Sequence, residues 1–152
     1  MNIKYVHTNI ISRDWRRLAR FYEDVFGCEP VPPHRSQSGE WLDRGTGVEG
    51  AQLEGLHLRL PGHGADGPTL EIYQYSALAD NLPSLPNRVG LGHLAFLVDH
   101  VKAVLARVVT GGGRAIGEIS HADIPGKGHI EFVYAADPEG NIIELQNWSS
   151  RS

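Results

Sequence analysis

Two stretches of the chain repeat one order of strand-like and helix-like positions. Residues 3–10, IKYVHTNI, form a β-rich run, and SRDWRRLARFYEDVFG follows it. In that second segment Trp15, Leu18, Ala19, Tyr22, Val25 and Phe26 recur at the spacing of a helix with one apolar face. Ser12 or Asp14 is positioned to cap its start, and Gly27 to end it. Residues 91–98, LGHLAFLV, are again β-rich, and DHVKAVLARVVTGGG follows with Val101, Val104, Leu105 and Val108 at helical spacing. Asp99 is the expected cap there, and Gly111–Gly113 the stop.

The second part of each repeat matches as well. GPTLEIYQY follows a Gly-Pro turn and GNIIELQNW follows Asp-Pro-Glu-Gly. A glutamate stands four residues after a turn glycine in both, Glu71 after Gly67 and Glu144 after Gly140. Middle strands are expected at about 28–34 and 51–60 in the first half, and at 114–122 and 129–135 in the second. SALADNLPSLPNR, with its two prolines, forms the natural linker. Residues 36–50, SQSGEWLDRGTGVEG, are Gly-rich and are expected to be a loop over an opening. The pattern predicts a single α+β domain of two pseudo-symmetric βαβββ modules, 1–76 and 89–149, joined by a linker at 77–88. Together they would make a curved, eight-stranded mixed sheet with helices outside and a metal-containing cleft inside.

The repeat puts His7, Glu71, His93 and Glu144 at corresponding positions. Strand side chains alternate between faces, so Glu71 shares a face with Tyr73 and Tyr75, and Glu144 with Ile142, Gln146 and Trp148. Neither glutamate strand carries a cation. A carboxylate buried without a partner costs several kcal/mol, and a divalent ion would neutralise both. Two imidazoles and two carboxylates without thiolate suit Zn, Ni, Co, Mn or Fe(II). A lone strand histidine is ordinarily structural and a lone strand glutamate ordinarily solvent-facing. Four such residues at repeat-related places make the metal reading the stronger one.

Other polar residues are weaker candidates for contact with a substrate. His57, His121 and His129 lie on strands or beside a Gly-rich bend. Arg59 is on the side of His57 and can meet an anionic group, and Lys127, in IPGKGH, can serve as a lid residue. His34, His63 and His100 fall in a Pro-rich loop, a Gly-rich turn and a helix start.

Composition narrows the classes. The chain has 152 residues, 41% of them hydrophobic, and a formal net charge of −4 with no basic stripe. These features argue against a nucleic-acid partner or an anionic membrane surface. No apolar run approaches the roughly 20 residues of a membrane span. MNIKYVHTNI lacks the charged, apolar and small-residue regions of a signal peptide, and the lone Cys28, expected to be a packing residue, allows no internal disulfide. A cytoplasmic location is the expectation.

VYAADPEGNIIELQ is close to the closing motif of the vicinal oxygen chelate superfamily, the glyoxalase / bleomycin resistance / extradiol dioxygenase family. RRLARFYEDVFG looks like its first helix, and GLGHLAFLVDHV like the opening of its second module. The resemblance covers nearly the whole chain. It implies that the set His7, Glu71, His93 and Glu144 corresponds to the four metal ligands of bacterial glyoxalase I. One departure is Ile11, where glyoxalase I has an arginine that grips the glutathione carboxylate; Arg13 is nearby.

The activity implied is that of a metal-dependent lyase or isomerase of glyoxalase I type. It would move a proton next to a metal-bound carbonyl through an enediolate, with Glu144, Glu71 or both as the base. The alternatives are an acyl-CoA epimerase resembling methylmalonyl-CoA epimerase, an Fe(II) extradiol dioxygenase, and a non-catalytic small-molecule-binding resistance protein. Resemblance also implies a small-molecule substrate and a homodimer.

Overall fold

The computed structural model describes residues 1–150. It divides into two compact units, the first Met1–Asn81 and the second beginning at Leu82. Among the described residues no helix is long and apolar enough to cross a membrane.

The first unit runs β1 (His7–Ile11), α1 (Trp15–Phe26), β2 (Glu29–Ser38), α2 (Glu40–Thr46), β3 (Gln52–Arg59) and β4 (Thr69–Tyr75). Its four strands form one sheet in the order β1-β4-β3-β2. β1 and β4 are parallel; the other neighbours are antiparallel. The Asp14 side chain accepts from the Arg17 backbone N–H, and Gly27 closes α1 in the left-handed conformation. The apolar face of α1 buries Trp15, Leu18, Ala19, Phe21, Tyr22 and Val25. It packs on β3 and β4, where Leu58, Leu70 and Ile72 are fully buried.

The second unit runs β5 (Leu94–Leu97), α3 (Val101–Thr110), β6 (Arg114–Ala115), β7 (Ser120–Ile124), β8 (Gly128–Ala136) and β9 (Ile142–Ser149). Its sheet has the order β5-β9-β8-β6, with β7 also paired to β8. Here too the His-bearing segment leads into a strand parallel to the Glu-bearing one. α3 lies on β8 and β9, with Val101, Val108, Val133, Ala135, Ile143 and Leu145 buried.

The expected α+β class and the repeated strand–helix–strands plan are both present. Several boundaries differ. The strands form a four-stranded and a five-stranded sheet, because the expected strand at 114–122 is interrupted and gives β6 and β7. Residues 36–50 are not a loop: β2 continues to Ser38 and α2 follows. Leu42 of α2 is the reason, since it packs with Ala51 and Leu53 against Tyr73 and Tyr75. An apolar anchor outweighs a Gly-rich composition. The N-cap of α3 is His100 rather than Asp99. Cys28 is buried as expected.

Candidate metal centre

Register settles which side chains share a face with each glutamate. In the first unit Val31, His57, Glu71 and Asn9 stand in one row across the four strands. Glu29, Arg59, Thr69 and His7 form the adjacent row on the same face. This face is opposite to the one α1 covers, since Leu58, Leu70 and Ile72 alternate with these residues.

Glu71 is 7% exposed. His57 Nε2 lies 2.5 Å from its Oε2, and His7 Nε2 lies 3.5 Å from Oε1. Asn9 Nδ2 donates to Oε1 at 2.7 Å. The donor atoms of His7, His57 and Glu71 all fall within 4.8 Å of one another. Burial holds the His57 imidazole below its ordinary pKa, with the Glu71 charge opposing that shift. Thr69 Oγ1, 2.8 Å from Nδ1, fixes the other ring nitrogen. Tyr73 is pushed up to about 12 by burial first, then by its hydrogen bond to Glu71 and by the charge of that acid.

The second unit repeats half of this arrangement. The Asp137 carboxylate accepts from the backbone N–H of Glu139 and of Asn141 and from Asn141 Nδ2, at 2.9, 3.0 and 2.9 Å. That network shapes the Asp-Pro-Glu-Gly turn, in which Gly140 takes a φ of 90°. β9 starts two residues later, and Glu144 stands opposite Tyr134 on one side and Ala95 on the other. His93 Nε2 is 3.0 Å from Glu144 Oε2, and the His93 ring lies 4.8 Å from that of Tyr134.

The donor chemistry of the first unit fits a divalent ion, and the second unit repeats an imidazole–carboxylate pair. Two ligand atoms each about 2.1 Å from one ion are about 3.0–3.4 Å apart, in octahedral or tetrahedral geometry. The His7–Glu71 and His93–Glu144 separations of 3.5 and 3.0 Å are close to that range. His57 adds a second imidazole to the first unit's group.

Of the expected substrate residues, His57 touches Glu71 directly. Arg59 is on the same face but is paired with Glu29 at 3.3 Å. Lys127 Nζ sits 5.7 Å from the Trp148 ring, on the face of Glu144. His121 lies on the other face of its sheet from Glu144, being in register with Glu131, three residues from Tyr134. Its ring stacks on His129 instead. Asn9 and Tyr134 were not singled out from the sequence, and Tyr73 was named only as sharing the face of Glu71. Asn9 carried a signal, being two residues after His7 and so on its face. Two cavities of about 440 and 490 Å³ open beside α1, and neither is lined by His7, His57 or Glu71.

Residues 4–145 match the model of the Glyoxalase/Bleomycin resistance protein/Dioxygenase superfamily. The chain belongs to that superfamily. A glyoxalase family protein from Bacillus cereus has the same fold, with a TM-score of 0.74 at 19% identity over 97% of this chain and 94% of that one. A glyoxylase/bleomycin resistance protein/dioxygenase domain from Frankia sp. EAN1pec gives 0.59 at 18% identity, covering 98% and 100%. A glyoxalase I mutant from Zea mays gives 0.62 at 20% identity, covering 94% of this chain and 44% of that one. Comparison with curated protein sequences gave no match. At these identities the likeness shows the fold, and the superfamily includes both enzymes and non-catalytic members.

Proposed function

We propose that this superfamily member is a metal-dependent lyase or isomerase of glyoxalase I type. His7, Glu71, His93 and Glu144 would be its ligands. The supporting observation is the repeated pairing of an imidazole Nε2 with a carboxylate oxygen, His7 with Glu71 and His93 with Glu144. A bound Zn, Ni, Co, Mn or Fe(II) ion supplies Lewis-acid polarisation of a substrate carbonyl.

The two acids differ in a way that separates their roles. Glu71 accepts from Asn9 and is gripped by His57. Those two contacts restrain the motion of the Glu71 carboxylate. Glu144 has Ala95 where Glu71 has Asn9, and Tyr134 where Glu71 has His57. Glu144 is therefore the base in this reading: it takes a proton from the carbon beside the carbonyl and returns it to the neighbouring carbon or face. Glu71 orients the site. Exposed apolar residues, among them Ile3, Tyr5, Val6, Leu91 and Leu97, support a homodimer.

The test loads the protein with each of the five metals. It assays methylglyoxal–thiol hemithioacetals and acyl-CoA epimers in D₂O, scoring both turnover and deuterium in the product. One metal ion per chain, reduced in His7→Ala and in His93→Ala, is the expected result. Unchanged metal content in both variants would sink the proposal.

A further inference from the structure

The face that carries Glu71 has a cation of its own. One row beyond Glu71, Arg35, Gly55 and Tyr73 stand side by side on β2, β3 and β4. The row lies about 7 Å along β4 from Glu71, the rise of two strand residues. Gly55 presents no side chain between its neighbours, and the edge of the Tyr73 ring lies where a Cβ would stand, so Arg35 and Tyr73 border one open position in the row next to Glu71. In the next row Leu53 and Tyr75 pack with Leu42 and make that end apolar, with Gln37 beside them on β2.

Two arginines share the face, and they are in different states. Arg59 is neutralised by Glu29. Arg35 has no carboxylate within ion-pair distance among the described residues; its guanidinium donates to the Pro33 carbonyl, a neutral acceptor. An arginine held in place by a neutral acceptor keeps its charge and part of its donor fork available. A planar carboxylate matches that fork.

We infer that Arg35 grips a carboxylate on the substrate and selects short acids whose reacting carbonyl lies near Glu71. This rests on the metal-site reading above and adds the substrate's anionic end to it. Arg35 is a specificity residue; the proton moves elsewhere.

The experiment uses full-length Co²⁺-loaded protein and two chelators, acetohydroxamate and the monohydroxamate of succinic acid. They share a metal-binding head and differ in a carboxylate tail. Dissociation constants come from the visible cobalt spectrum. The wild type should bind the tailed chelator at least tenfold more tightly. Arg35→Ala should remove that preference and leave acetohydroxamate binding within twofold, and Arg35→Lys should recover part of it. The same preference in Arg35→Ala and wild type would overturn the inference, as would equal binding of both chelators by wild type. Phosphonoacetohydroxamate preferred over the succinate derivative would overturn the choice of carboxylate. If the wild type takes up no cobalt, the metal reading falls, and succinate titration of the metal-free protein by amide chemical shifts decides the inference. Arg35-dependent shifts on β2 and β4 would support it, and their absence would overturn it.

Discussion

His57 and Glu71 are cross-strand partners on β3 and β4, joined Nε2 to Oε2 at 2.5 Å. The imidazole is also tied to Thr69 through Nδ1. A ring fixed at both nitrogens holds the carboxylate in one rotamer. Outer partners of this kind usually change metal affinity by about 10–100-fold when removed. His57→Ala should lower cobalt or zinc affinity by that factor in competition with a chromophoric chelator, while far-ultraviolet circular dichroism stays native. His57→Gln, which keeps a donor, should recover part of the loss. Wild-type affinity in His57→Ala would show that His57 does not support the site.

The asymmetry between the two acids predicts two different phenotypes. Glu144→Gln should retain most of the metal and lose turnover by about 10²–10⁴-fold, the range for a general base. Glu71→Gln should chiefly weaken metal binding, with turnover largely recovered at saturating metal. Metal analysis and kcat on the same preparations separate the two, and full turnover of reconstituted Glu144→Gln would remove it as the base.

Gly55 allows β3 and β4 to approach closely. Its φ is 156°, and a Cβ there would overlap the Ile72 carbonyl and the Tyr73 ring. Gly55→Ala should cost about 1–3 kcal/mol of stability or more, as overpacking does. It should also disturb Tyr73. Urea unfolding with an unchanged midpoint would contradict this.

Cys28 gives a pH signature. Burial, with a contribution from the Glu23 charge, pushes its thiol up to about 11. The unfolded thiol ionises near about 8.5, so on raising the pH the unfolded state loses its proton first. The contribution of Cys28 is fully present below about 8.5 and is lost as pH rises towards the folded value. The thermal midpoint of wild type should fall more steeply over that window than that of Cys28→Ala. Parallel slopes would refute it. Native Cys28 should also react slowly with Ellman's reagent at pH 8.

The repeat was legible because it is written in short-range features. Helical spacing from Trp15 to Phe26, a histidine before each parallel strand and a glutamate four residues after each turn glycine are all local. They identify α1, α3, β4 and β9, and within each unit they pair His7 with Glu71 and His93 with Glu144. α2 was not legible, because one buried leucine, Leu42, stabilises a helix that composition disfavours.

Sequence by itself determined the strand-and-helix order, the repeated His and Glu positions and the turn chemistry that launches Glu144. Those depend on residue spacing and on backbone preferences a few residues long. Tertiary structure decided which face each remaining side chain occupies. It put His57 against Glu71, Arg35 beside Tyr73 and His121 on the far side of its sheet from Glu144. Strand register sets these placements, and a one-residue slip reverses the face. Register follows from loop geometry and core packing across the sheet, neither of which is encoded within any single strand.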